Sequence, residues 1–129
     1  NNYHWVPLTI IAAVLTAWGG LPMFLWAICL RVTIGLHCTW LINSFTHIWG
    51  TQRFDAGDDS RNSFILALLT FGEGWHNNHH AHPTSARHGL AWWEFDITWI
   101  TMKILRAVGL IKHVRVAKLD AMELESKAA

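Results

Sequence analysis

Residues 1–50 contain one Asp, Glu, Lys or Arg, Arg31, and every other charged side chain stands at Arg53 or beyond. So uneven a distribution lets the first part of the chain fold only where apolar surface is covered, and lipid suits its length. Trp5 to Leu30 is a run of 26 residues without charge or His. One bilayer-crossing helix needs about 20. Gly19-Gly20-Leu21-Pro22 interrupts the run with turn chemistry, since Gly permits a left-handed exit and Pro opens a new helix well. The expectation is two membrane segments, about 6–18 and 21–49. The second would be roughly 40 Å long at ~1.5 Å per residue, longer than the ~30 Å hydrocarbon core. Its last two turns then protrude into water, carrying Trp40, Asn43 and His47 on one face. Arg31 is costly inside this segment, and is expected to snorkel or to face a polar cavity formed with parts outside these 129 residues.

Past this region the chain changes character. Residues 51–62 are a polar loop marking the boundary between membrane and water. A short apolar helix is expected from Ser63 to Phe71, capped by Ser60 or Asn62. Gly72-Glu73-Gly74 ends it, and residues 82–89 read as irregular. Ile97, Ile100, Ile104, Leu105 and Val108 recur at helical spacing, with Asp96 as N-cap and Gly109 as stop. The tail beyond Lys112 mixes both charges and reads as a surface helix or a frayed end. The fold class is therefore all-α: a transmembrane helical part (1–50) and a cytosolic helical part (51–129). Asn1-Asn2-Tyr3-His4-Trp5 opens without Met or a charged leader, as expected of a piece cut from the middle of a protein. A net charge of +1 leaves no basic stripe for nucleic acid. Cys29 and Cys38 fit no zinc spacing and are expected as free thiols. Nine Trp suit membrane interfaces or a substrate tunnel, where an apolar body and a wet N–H are both served.

Five of the nine His fall within residues 76–88. On a helix His76, His79 and His80 share a face. Crowded imidazoles repel when protonated and gain nothing when neutral, so metal ligation explains the spacing better than a solvated polar face. Zinc in structural sites usually recruits Cys, and none is nearby. Glu73 precedes the cluster instead of standing between ligands, so the His-Glu-x-x-His pattern is absent. Imidazoles suit iron, copper or zinc, and the membrane setting favours an oxygen-using enzyme that acts on hydrocarbon. His47 offers a further nitrogen and Asn43 a ligand through water. That is too few for two metals, so the site is either mononuclear or shared with ligands outside this chain.

Gly72-Glu73-Gly74-Trp75-His76-Asn77-Asn78-His79-His80 resembles the third histidine box of the membrane Δ9 acyl desaturases, the family related to stearoyl-CoA desaturase. Leu41-Ile42-Asn43-Ser44-Phe45-Thr46-His47 resembles that family's asparagine-plus-histidine segment. Ser85-Ala86-Arg87-His88-Gly89-Leu90, Trp92-Trp93-Glu94 and Asp96-Ile97-Thr98-Trp99 are similar to its cyanobacterial and plant branch. The resemblance implies that His47, His76, His79 and His80 bind two irons, that Asn43 reaches one through water, and that Trp40 lies near the acyl thioester. The family's first two boxes, His-x-x-x-x-His and His-x-x-His-His, are absent, so these residues alone are expected to be inactive. His82 stands where an aromatic residue is usual and Thr84 where Tyr is common. His82 and His88 fall outside the family's ligands and are left to supporting roles.

The implied reaction removes two hydrogens from adjacent methylenes of an acyl-CoA or acyl-lipid chain, using O2 and two electrons, to leave a cis double bond. The same resemblance implies ferredoxin or cytochrome b5 as electron donor. It also implies a multi-pass protein with its metal site on the cytosolic side of a cyanobacterial, plastid or endoplasmic-reticulum membrane. A membrane di-iron hydroxylase is the nearest rival, and a non-catalytic membrane metal-binding protein is a rival of another class. Phe54, Phe71 and Trp75 are candidates for packing near the site.

Overall fold

Gly20 breaks the first helix. Its φ of 64° and ψ of −161° lie outside anything a helix accepts, and only a residue without Cβ adopts them cheaply. The computed structural model, which describes residue 3 and residues 5–119, otherwise continues helically on both sides. Helix α1 is Trp5–Phe24 with its kink at Gly20. A π-helical stretch, Leu25–Leu30, leads into α2, Arg31–Phe45. Pro22 falls in the first turn after the break, where its missing N–H costs nothing. Trp5–Phe45 is long and apolar enough to cross a membrane. No residue of α1 is buried, so its Ile10, Ile11, Val14 and Trp18 present an apolar surface outward. Cys29 and Cys38 are free thiols.

Helix α2 stops at Phe45, short of the expected Trp49. The Thr46 N–H still donates to Ile42 O at 3.0 Å, but the Thr46 carbonyl accepts from the Arg61 N–H at 2.7 Å. A distant segment thus takes the acceptor that the next helical turn would have used. His47 stands on the turn that follows, not on the helix.

The chain divides into two compact units, Asn1–Trp40 and Leu41–Ala129. In the second, three short helices follow: α3 Phe64–Leu69, α4 His76–Ala81 and α5 Ile97–Ala107. Ser63 caps α3, accepting from the Leu66 N–H. The expected caps are otherwise engaged: Asn62 bonds Asn78, and Ser60 accepts from Asn77. Asp96 caps α5 through the Trp99 N–H at 2.8 Å. Gly109 closes α5 in a Schellman arrangement, with Leu110 N–H on Leu105 O and Gly109 N–H on Arg106 O. Residues 111–119 are irregular, not helical. They lie against the turn at Ser85: Ala86 N–H donates to Arg115 O and Ala117 N–H to Ser85 Oγ. Residues 120–129 lie outside the described residues.

There is no strand among the described residues, only two antiparallel bridges, Thr51 with Asn62 and Asn62 with Trp75. These bridges position the site. They hold residues 61–63 between the turn that carries His47 and the start of α4. Gly74 makes that approach possible, because a Cβ there would fall 2.0 Å from Ala67 N. Trp75 fills the centre, 2% exposed, with its indole N–H on Phe95 O at 2.9 Å and its ring edge-on to Trp93.

Candidate metal centre

Helix α4 begins directly after Trp75, so its first ring, His76, points into the packed interior and is 6% exposed. His80, one turn later, lies beside it with ring centres 4.3 Å apart. The turn after α2 brings His47 to 5.3 Å from each. One ligand atom from each of His47, His76 and His80 lies within 4.8 Å of the others. That spread is little more than twice a metal–imidazole bond of about 2.1 Å. His79 turns elsewhere. Its ring is 6.2 Å from His76 and 5.8 Å from His80, but 4.6 Å from His88. The three clustered histidines therefore do not form one equivalent set.

Two of the rings, His76 and His79, are in the state a metal requires. Burial pushes the His76 imidazole down to about 4, and the rings of His80, His47 and His79 add to the effect. Burial and then His88 lower His79 as well. Both rings are thus neutral near pH 7, with a lone pair to donate. His76 Nε2 and His79 Nδ1 are buried without a hydrogen-bond partner. An orphaned buried nitrogen is costly, and a bound cation would satisfy it. The residues fit a metal on this ground as well as by their chemistry.

Asp58 orients His80. Its carboxylate Oδ2 lies 2.5 Å from His80 Nδ1. Hydrogen bonds from Ser60 and from His80 hold the Asp58 carboxyl well below the usual carboxylate range. Ionised, it can only accept, so His80 Nδ1 carries the proton and Nε2 is left to ligate. Asp58→Ala is expected to weaken metal binding about 10- to 100-fold, the size usual for such outer partners, as read by competition with a chelator.

The two asparagines between the histidines hold the frame. Asn77, 0% exposed, accepts from the Arg53 and Phe54 N–H groups at 2.8 Å and donates to Phe54 O, closing the 51–62 loop over α4. Asn78, 1% exposed, accepts from Asn62 Nδ2 and donates to His88 O and Glu94 Oε2, each at 2.8 Å. Glu94 is buried too, paired with Arg53 at 3.2 Å and accepting from the Ala91 N–H.

Of the other expected residues, Asn43 stands exposed on α2, four positions before His47. Trp40 belongs to the first unit, where its exposed ring lies tilted against His37, 5.2 Å between centres. Phe54 meets His82 edge-on at 5.0 Å, while Phe71 is largely exposed. Asp58, Asn77, Asn78 and Glu94 were not among the expected residues. The only sequence signal for them is that polar Asn fills both positions between the histidines, where solvent cannot reach.

The family model described as fatty acid desaturase matches residues 2–110. The chain is 52% identical over 99 residues to the sn-1 stearoyl-lipid 9-desaturase of Anabaena variabilis, covering 77% of this chain and 36% of that protein. It is 49% identical over 116 residues to the chloroplastic palmitoyl-monogalactosyldiacylglycerol delta-7 desaturase of Arabidopsis thaliana, covering 90% of this chain and 31% of the other. It is 47% identical over 105 residues to the acyl-CoA C20 Delta5-desaturase of Anemone leveillei, covering 81% and 34%. The chain thus spans about a third of the length of these relatives.

Proposed function

Since this chain belongs to the fatty acid desaturase family, we propose that it supplies part of a di-iron centre that introduces a cis double bond, Δ9 in type, into a saturated acyl chain. The observation that carries this reading is the convergence of His47, His76 and His80 within 4.8 Å, with His79 turned to a second position on the same short helix. In the proposal the first three hold one iron, His79 belongs to the other, and Asn43 reaches an iron through water. The remaining ligands come from outside these residues. Bound iron supplies the activation of O2. This chain's own part is to present His76 and His79 as neutral imidazoles, to fix the tautomer of His80 through Asp58, and to exclude water behind Trp75.

The substrate is an acyl chain carried on a lipid or on CoA, with Trp40 placed toward the carrier end. The electrons come from ferredoxin or cytochrome b5. The apolar stretch 5–45, broken at Gly20, is read as two membrane segments of a multi-pass protein. The metal site then stands on the cytosolic side of a cyanobacterial, plastid or endoplasmic-reticulum membrane.

The test is expression of a full-length desaturase carrying this segment in a host that makes only saturated chains. Gas chromatography of the methyl esters is expected to show a cis-monounsaturated product. Hydroxylated chains would place the protein with the di-iron hydroxylases. Bound iron with neither product would leave a non-catalytic metal-binding protein.

A further inference from the structure

His88 lies in a segment without regular structure, yet its backbone is held on both sides. Its N–H donates to Asp96 Oδ2 at 2.9 Å, and its carbonyl accepts from Asn78 Nδ2 at 2.8 Å. Both partners are themselves buried. A backbone held on both sides gives the ring a defined position. The ring is placed 4.6 Å from that of His79, with planes tilted by 39°. Two imidazoles bound side by side to one metal, each nitrogen about 2.1 Å from it, have ring centres roughly 4.5–5.5 Å apart. The first group lies at or near the same measure, with two separations of 5.3 Å and one of 4.3 Å.

A second parallel concerns carboxylates. Ligating histidines commonly turn their other ring nitrogen to a carboxylate, as His80 does to Asp58. His88 Nδ1 lies 3.6 Å from Glu73 Oε2, within ion-pair range, which leaves Nε2 for a ligand. His79 Nδ1, buried and without a hydrogen-bond partner, supplies the adjoining nitrogen.

We propose that His88 is an additional ligand of the iron position to which His79 belongs, with Glu73 as the carboxylate that orients it. The proposal rests on the di-iron reading above. It assigns this chain a two-nitrogen half-site, His79 with His88, alongside the three-nitrogen group of His47, His76 and His80.

The experiment uses a full-length desaturase carrying this segment, purified in detergent and loaded with ferrous iron. Bound iron is measured by mass spectrometry, and the two ferrous sites are observed by Mössbauer spectroscopy. In His88→Ala, iron is expected to fall by about half, with one ferrous signal lost and the other unchanged. In Glu73→Gln the same signal is expected to survive with weaker binding, by about 10- to 100-fold. Where His88→Ala does not yield folded protein, His88→Gly loaded with free imidazole serves instead, and recovery of the lost signal supports the ligand role. Folded His88→Ala with full iron and both signals unchanged would overturn the proposal. If His76→Ala loses iron in the same preparation, the di-iron reading stands and only His88 falls. A wild-type protein that binds no iron would overturn both.

Discussion

Replacing His76 with Ala in a full-length desaturase carrying this segment is expected to abolish unsaturated product and to strip iron from one of the two positions. His76 is the most buried of the group and touches both His47 and His80, so no other side chain can take its place. Loss of one of this chain's three nitrogens at that position weakens its hold on iron in competition with water. The substitution also removes a buried nitrogen that has no hydrogen-bond partner. That relief offsets part of the cavity cost, so stability without metal is expected to change by only about 1–2 kcal/mol. Loss of iron without loss of fold is the signature sought, read by metal analysis, product chromatography and a melting curve of the metal-free protein. Retained product with unchanged iron would sink the ligand assignment.

Asn78→Asp is expected to have the largest effect on stability of any isosteric change near the site. The amide nitrogen donates to His88 O and Glu94 Oε2. A carboxylate in its place sets acceptor against acceptor and charge against charge, out of contact with water. Breaking a buried polar network in this way costs about 3–5 kcal/mol, which lowers the melting temperature by on the order of 10 °C. Two controls identify the cause. The destabilisation should shrink as pH falls through the carboxylate range, since a shared proton restores a donor. It should also shrink when Glu94→Gln is added, which removes the opposing charge. A melting temperature within a degree or two of wild type would show that Asn78 is not the staple described here.

What could be read from the sequence was local, and what could not was distant. The break at Gly20, the cap at Asp96 and the stop at Gly109 each depend on residues within a few positions, and all appear where turn and cap chemistry puts them. The end of α2 escaped because its cause is Arg61, fifteen residues beyond Thr46. The cap of α3 was misplaced onto Ser60 or Asn62 because both side chains are occupied by α4. At the site, spacing alone groups His76, His79 and His80 on one face. The structure keeps His76 with His80 and sends His79 toward His88, because positions i+3 and i+4 of a helix stand on either side of i, about 100° apart. The place of His47 at the end of the membrane helix marks it as a candidate, but its approach to His76 and His80 depends on contacts remote in sequence. Asp58 had no signal at all, being a charged residue in a polar loop 22 positions from its partner.

The carboxylate of Asp96 does more than cap the start of α5. One oxygen receives the Trp99 N–H of α5, and the other receives the His88 and Gly89 N–H groups. The loop between α4 and α5 is therefore registered to a rigid rod at the residue whose placement matters. The position of His88 is thereby set by the first turn of α5. An insertion at Gly89 would break that registration.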